Sequence, residues 1–269
     1  HPRYIFVKGD VCDKRLVLEI IKQSDAVINF AAETHVDNSI KDSNEFINTN
    51  VKGTQTLLDC AKLCRIQKFI QISTDEVYGS IAKGSSKEED KLEPNSPYSA
   101  SKAAADMLTR AYNITFKVPT IITRSSNNYG QYQYPEKLIP LFITNLLSGK
   151  KVPLYGDGLN VRDWLYVQDN CKAIDFIFHK GEIGETYNLG GDNERTNFEI
   201  TKTILKELSK DEKYIDFVKD RPGHDRRYSL NISKIKKLGW KPKQNFEERI
   251  KETIKWYKEN RTWWLKLKS

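Results

Sequence analysis

The stretch Phe69-Ile70-Gln71-Ile72-Ser73-Thr74-Asp75-Glu76-Val77-Tyr78-Gly79, followed after a polar insertion by Ser96-Pro97-Tyr98-Ser99-Ala100-Ser101-Lys102, decides the fold. Phe69 to Ile72 form an apolar run short enough to be a buried strand. The strand delivers Ser73, Thr74, Asp75 and Glu76 at its end, and ligands of open α/β sheets bind at the carboxyl ends of strands. Ser96 and Pro97 read as an N-cap and first helical residue. On the helix they open, Tyr98 and Lys102 are spaced i, i+4 and share one face. Consecutive residues of a strand point to opposite faces. Two adjacent carboxyls can therefore serve one ligand only if the strand has ended by Asp75.

Upstream, Tyr4 to Lys8 read as a strand ending in Gly9-Asp10-Val11. A helix is expected at about 14–23, a strand at 25–30 running into Ala31-Ala32-Glu33-Thr34-His35, and a helix at about 46–64. His35 is read as a structural polar contact rather than a base. Ser80 to Asn95 reads as a mobile surface loop. Downstream, helices are expected at about 136–147, 168–179 and 246–260, with short strands at 120–123, 151–155 and 187–189. Gly156-Asp157-Gly158 marks a turn, and Thr196-x-x-Glu199 is a capping box.

The 269 residues suffice for two domains, with a shift in pattern near Gln131. Hydrophobic residues make up 38% and mean hydropathy is -0.63. No apolar run approaches the roughly 20 residues of a membrane helix, and the start lacks the pattern of a signal peptide. A cytoplasmic location is the resulting expectation. Net charge is +8, but the lysines are interleaved with glutamates, as at 87–91 and 247–252, and read as solvated faces rather than a nucleic-acid surface. The four cysteines show no Cys-x-x-Cys and no neighbouring histidines, so reduced thiols and no metal are expected.

These motifs resemble the extended short-chain dehydrogenase/reductase family, and within it the dTDP-glucose 4,6-dehydratases. The resemblance rests on Ser73–Gly79, Tyr98-x-x-x-Lys102, Ser126–Gly130, Pro135–Pro140, Arg162–Val167 and Asp220–Tyr228, in that order. It implies a Rossmann-type parallel sheet over 1–130 with a smaller α/β substrate domain over 131–269, whose chain returns to the first near 160–190. It also implies that a first β-α-β segment with a Gly-rich turn is missing before Tyr4.

The resemblance further implies NAD as cofactor, contacted by Asp10, Val11, Phe30, Ala31, Ala32, Glu33, Thr34, Thr49, Tyr98, Lys102 and Asn128. The implied catalytic set is Thr74, Asp75, Glu76, Tyr98 and Lys102. Tyr98 is the base at the sugar C4 hydroxyl, Asp75 the acid at C6 and Glu76 the base at C5. A nucleotide sugar, dTDP-glucose, would meet Thr34, Thr74 and Asn127, the helix residues Lys137, Leu138, Ile139, Pro140, Leu141 and Phe142, and Pro153, Leu154 and Tyr155. Arg162, Asn197, Asp220, Arg221, Pro222, Gly223 and His224 would complete its diphosphate and nucleoside contacts. A homodimer built on the 46–64 and Tyr98 helices is implied as well. A 4-epimerase on the same scaffold, or a 4,6-dehydratase for another base, is the enzymatic alternative; a nucleotide-binding module without turnover is the other.

Overall fold

A computed structural model describes residues 1–243 and 245–268. In chain order its elements are α1 (Lys14–Ile21), β1 (Ala26–Asn29), α2 (Val36–Lys41), a single turn α3 (Asn44–Phe46), a π-helical segment (Ile47–Gly53), α4 (Thr54–Cys64), β2 (Lys68–Thr74), a 3-10 turn (Asp75–Tyr78) and α5 (Pro97–Phe116). There follow β3 (Thr120–Ser125), β4 (Asn127–Tyr129), α6 (Leu138–Leu147), β5 (Val152–Tyr155), β6 (Val161–Tyr166), α7 (Val167–Lys180), β7 (Thr186–Leu189) and β8 (Glu194–Thr196). The chain ends with α8 (Asn197–Glu207), β9 (Ile215–Val218), α9 (Ser233–Leu238), α10 (Phe246–Glu259) and α11 (Arg261–Leu265). The main sheet has the order β1-β2-β3-β7, with β1 and β2 parallel and Asn29 opposite Gln71.

Two compact units form. The first contains His1–Ser73, Pro97–Ile122 and Gly181–Thr186; the second contains Thr74–Ser96, Thr123–Lys180 and the described residues from Tyr187 onward. In the first, Val17 and Ile21 of α1 meet Leu57, Leu58 and Ala61 of α4, with Phe69 and Tyr112 completing the core. Burying each of the Val, Ile, Leu and Phe side chains among them contributes roughly 1.5–3 kcal/mol. Asp13 starts α1 by accepting from the backbone of Arg15 and Leu16.

In the second unit, Ile139, Phe142 and Ile143 of α6 pack with Ile200 and Ile204 of α8 and with Ile250, Ile254 and Tyr257 of α10. Trp264 is 1% exposed and donates its indole N–H to the Tyr257 carbonyl at 2.8 Å, so this tryptophan packs in the core. The Thr196–Glu199 capping box is present. β5 pairs parallel with β9, and β6 lies between β4 and β8.

Three expectations are corrected. The segment at Tyr4–Lys8 is not a strand: Tyr4, Ile5 and Phe6 are 72%, 81% and 73% exposed. An apolar run becomes a strand only when a neighbour takes up its backbone N–H and C=O groups, and β1 pairs with β2 alone. The helix expected over 46–64 is interrupted by the π segment, which apolar periodicity does not reveal. The loop at 80–95 is pinned at its middle: Ser86 is buried, donates its N–H to the Ser229 carbonyl at 2.8 Å and accepts from Asn231 N–H at 2.8 Å. All four cysteines are free thiols. Among the described residues no helix is long and apolar enough to cross a membrane, and no cluster of His, Cys, Asp and Glu is placed to hold a metal.

Candidate active site

β2 ends at Thr74, still extended at φ -141° and ψ 155°, and the chain turns at once into the 3-10 segment. Thr74 directs this change. Its Oγ1 accepts from Glu76 N–H at 3.3 Å and donates to Asp75 Oδ1 at 3.2 Å. Successive residues of a 3-10 helix are about 120° apart rather than on opposite faces, so the two carboxyls escape the alternation of the strand. Gly79 closes the turn, donating to the Glu76 carbonyl at 3.2 Å. It has φ +75°, and a Cβ there would lie 2.2 Å from the Glu93 carbonyl oxygen. Only glycine fits.

Asp75 is 3% exposed, and its Oδ2 has no hydrogen-bond partner in the protein. Burial pushes its carboxyl well above the usual range, Glu76 pushes it further, and Arg162 pulls it back. Glu76 is raised by burial too, but Arg162, Arg221 and Lys137 draw it down. The environment thus favours the protonated form at Asp75 and supplies cations to the neighbouring carboxylate, the division of labour needed by an acid and a base side by side.

Arg162 on β6 is buried, and its guanidinium is held rigidly. Nη1 donates to the Val161 carbonyl at 2.7 Å and Nη2 to the Asp225 carbonyl at 2.9 Å, and the group lies 4.1 Å from the Tyr228 ring centre. Tyr228 in turn donates to Asp225 Oδ2 at 2.6 Å. Next to it, Asp163 accepts from Gly191 and Asn193 N–H, both at 2.7 Å, and fixes that loop.

In the first unit, Tyr98 and Lys102 are both buried on α5, and the Tyr98 ring packs edge-on against Phe46 at 6.3 Å. Lys102 Nζ donates to the Ile72 carbonyl of β2 at 2.6 Å. Burial pulls its ammonium down to about 8, against the opposing effect of Asp106. Sequence reasoning passed over Asn50, in the π segment beside Thr49. Asn50 is 1% exposed and donates from Nδ2 to Ser101 Oγ at 2.8 Å, and Ser101 Oγ donates to the Tyr98 carbonyl at 2.7 Å. A π turn inside a helix often marks a functional position, but its signal is geometric. His35 caps α2, accepting from Asn38 N–H.

The residues expected at a dinucleotide have these placements. Asp10 Oδ1 accepts from Cys12 N–H at 2.8 Å. Val11 lies against Gly53, where a Cβ would stand 2.6 Å from Val11 Cγ2. Phe30 is 59% exposed beyond β1, and Ala31 N–H is held by Asn29 Oδ1 at 3.1 Å. Ala32, Glu33 and Thr34 continue this loop. A strand end followed by small residues, with a buried ammonium reaching the next strand, fits a dinucleotide. Asn128 in the second unit has a buried Oδ1 with no protein partner, as do Asn127 and Asn197.

Of the residues expected at the sugar nucleotide, Tyr155 meets the His224 ring edge-on at 6.0 Å, and His224 Nδ1 lies 2.6 Å from Asp220 Oδ1. Gly223 has φ +64°. Ile139, Phe142 and Leu154 instead face the core of their unit, leaving Pro153 and Tyr155 on the more open side of β5. Two arginines at the end of the Asp220 loop form ion pairs: Arg226 with Asp157 and Arg227 with Glu194, both at 2.8 Å.

Residues 1–253 match the sequence family described as GDP-mannose 4,6 dehydratase. The chain belongs to this family. Agl12 of Haloferax volcanii, a low-salt glycan biosynthesis protein, is 50% identical over 257 residues, which cover 96% of this chain and 83% of that protein. The dTDP-glucose 4,6-dehydratase of Streptomyces niveus is 49% identical over 267 residues, 99% of this chain and 80% of that enzyme. The crystal structure of DesIV, a dTDP-glucose 4,6-dehydratase of Streptomyces venezuelae with NAD bound, matches at a TM-score of 0.98 and 50% identity, covering 99% of this chain and 83% of that one. A Thermus thermophilus UDP-glucose 4-epimerase with NAD matches at a TM-score of 0.89 and 28% identity, covering 94% and 84%. The dehydratase family and the epimerases thus share the scaffold, and the α/β dinucleotide-binding class expected for this chain holds. What separates the two chemistries must lie in side chains.

Proposed function

We propose that this protein is an NAD-dependent dTDP-glucose 4,6-dehydratase, converting dTDP-glucose to dTDP-4-keto-6-deoxy-glucose and water. The Asp75–Glu76 pair carries the reading. An epimerase needs no acid and base next to each other, whereas elimination across C5–C6 needs both. Identity near 50% to enzymes of that name over almost the whole chain supports the same choice.

NAD, held by the residues named below, would supply the hydride acceptor for C4 and the hydride donor for C6. Tyr98 takes the C4 hydroxyl proton. A phenol is a poor base at neutral pH, and the Lys102 ammonium favours its phenolate. Thr74 shares the hydroxyl proton network. The C5 proton is acidic beside the C4 ketone and passes to Glu76, which gives a proton back to C5 when the hydride is delivered to C6. Asp75 gives its proton to the C6 oxygen, which leaves as water. Asp10, Val11, Phe30 to Thr34, Thr49 and Asn128 serve the dinucleotide. Asn127, Pro153, Tyr155, Asn197, the residues of 137–142 that do not face the core and the Asp220–His224 segment serve the nucleotide sugar.

The test incubates the full chain with NAD and dTDP-glucose and follows the loss of water by mass. Asp75→Asn with Glu76→Gln should stop dehydration while C4 oxidation survives; dehydration at the wild-type rate sinks the assignment. Replacing dTDP-glucose by UDP- or GDP-linked sugars tests the base preference.

The same reading includes a homodimer and a cytoplasmic location. Leu63 on α4 and Met107, Ile114 and Phe116 on α5 are 59%, 48%, 50% and 46% exposed, an apolar surface suited to a second copy. Light scattering of the purified protein decides between one and two copies. Four free thiols suit a reducing compartment.

A further inference from the structure

Three buried polar side chains of the second unit take no part in the chemistry above. Tyr78 closes the 3-10 turn that begins with Asp75 and is 5% exposed; Arg124 on β3 is 4% and Asn188 on β7 is 0% exposed. The Tyr78 hydroxyl accepts from Arg124 Nη1 at 2.7 Å and donates to Asn188 Oδ1 at 2.8 Å. The Arg124 guanidinium carbon lies 4.9 Å from the centre of the Tyr78 ring. Burial pushes the hydroxyl up to about 12, so it remains neutral and serves both bonds at once.

Both partners are themselves fixed. Asn188 donates from Nδ2 to the Ser86 and Asn231 carbonyls at 2.9 and 3.3 Å, and its N–H goes to Glu88 Oε1 at 3.0 Å. Arg124 Nη1 also donates to the Glu88 carbonyl at 3.2 Å. The hydroxyl is thus tied to two strands, and through them to the pinned middle of the 80–95 loop.

We propose that Tyr78 is a positioning residue: anchored by Arg124 and Asn188, it sets the rotation of the turn that carries Asp75 and Glu76 and thereby the rate of elimination. A 3-10 helix has three residues per turn, so Asp75 and Tyr78 are eclipsed on one edge. The turn is held at its start by the Thr74 cap and in its middle by Val77, which is 0% exposed, and the Tyr78 hydroxyl fixes its far end. Freeing Tyr78 lets Asp75 and Glu76 swing together, whereas Tyr98 and Lys102 belong to α5 and keep their own anchors. The inference rests on the dehydratase reading.

The experiment compares wild type, Tyr78→Phe and Arg124→Met in rapid-quench incubations of the full chain with NAD and dTDP-glucose. Unreacted sugar, the 4-keto sugar that still holds its C6 hydroxyl, and the 4-keto-6-deoxy product are separated by mass, and thermal melts are recorded in parallel. In both variants C4 oxidation should stay within about twofold of wild type while dehydration falls about tenfold or more, as small misplacements of catalytic groups do. The undehydrated ketone accumulates, and KM is unchanged. Equal loss of both steps, or of neither, in either folded variant overturns the inference, because a merely structural role does not divide the two steps. If wild type forms no dehydrated product, the dehydratase reading itself fails and the inference falls with it.

Discussion

Asn50 grips Glu33 by both of its backbone groups: Oδ1 accepts from Glu33 N–H at 2.9 Å and Nδ2 donates to the Glu33 carbonyl at 3.0 Å. The same Nδ2 reaches Ser101 on α5 at 2.8 Å. One amide in the π segment therefore locks the loop after β1 to the helix of Tyr98 and Lys102. Asn50→Leu keeps the volume and leaves Glu33 N–H without its acceptor. The expected cost is about 1–3 kcal/mol for a buried group left unpaired, read as a lower midpoint in urea. Because Ala31 to Thr34 are the residues assigned to the dinucleotide, NAD affinity should fall as well. Calorimetric titration with NAD checks this, and unchanged affinity in a folded variant removes the loop from the cofactor.

Lys102 supplies a second prediction, with opposite effects on stability and activity. Its ammonium is lowered from 10.5 to about 8 by burial, so the folded state disfavours the charge that the unfolded chain carries freely. Below about pH 8 the whole penalty is present; stability recovers as pH rises from there toward the ordinary lysine value. At about 1.4 kcal/mol per unit, removing the charge with Lys102→Met should stabilise the protein at neutral pH by up to about 3 kcal/mol, less the lost bond to the Ile72 carbonyl. Activity should fall about 10²- to 10⁴-fold, the usual cost of disabling a base and its activator. Urea unfolding at pH 7 and pH 10, set beside steady-state rates, reads both. A less stable variant at pH 7 contradicts the sign.

Asp75 behaves the same way from the acid side. Its raised carboxyl holds a proton in the fold that the unfolded chain releases, so the penalty appears above the ordinary aspartate value and grows as pH rises toward the folded value. Asp75→Asn cannot ionise and escapes that penalty. The variant should melt at a higher temperature than wild type at neutral pH, with the difference shrinking toward about pH 4, and it should lose dehydration about 10²-fold or more. Melts across this range check the trend. A difference that widens on acidification refutes it.

The parts of this site that were legible in sequence are those where local chemistry dictates local structure. β2 ending at Thr74, Pro97 opening α5 and the capping box at Thr196 all follow from residue types within one or two turns of chain. What sequence could not show depended on partners far away. Tyr4 to Lys8 has strand composition, yet a strand requires a neighbour. Asn50, Tyr78 and Asn188 each look unremarkable in the chain, and their roles come from bonds to Glu33, Arg124 and Ser86. Burial of a polar side chain is a property of the fold, and no periodicity announces it.

Arg162 offers two roles that kinetics can separate. The resemblance makes it a diphosphate contact. Its geometry makes it a fixed cation beside the carboxyl pair: two of its N–H groups are engaged by the Val161 and Asp225 carbonyls, the Tyr228 ring covers it, and it pulls both Asp75 and Glu76 downward. Without that charge Glu76 rises and is protonated over a wider range, so the acid limb of the kcat profile should move to higher pH. At neutral pH kcat should drop about tenfold. A diphosphate contact used equally in ground and transition states would instead raise KM and leave kcat alone. Arg162→Met removes the charge, and because a buried cation's partners are also lost, Arg162→Lys serves as the control that keeps it. If the acid limb moves in the methionine variant and returns with lysine, Arg162 tunes the pair. If only KM changes, its charge is directed at the substrate.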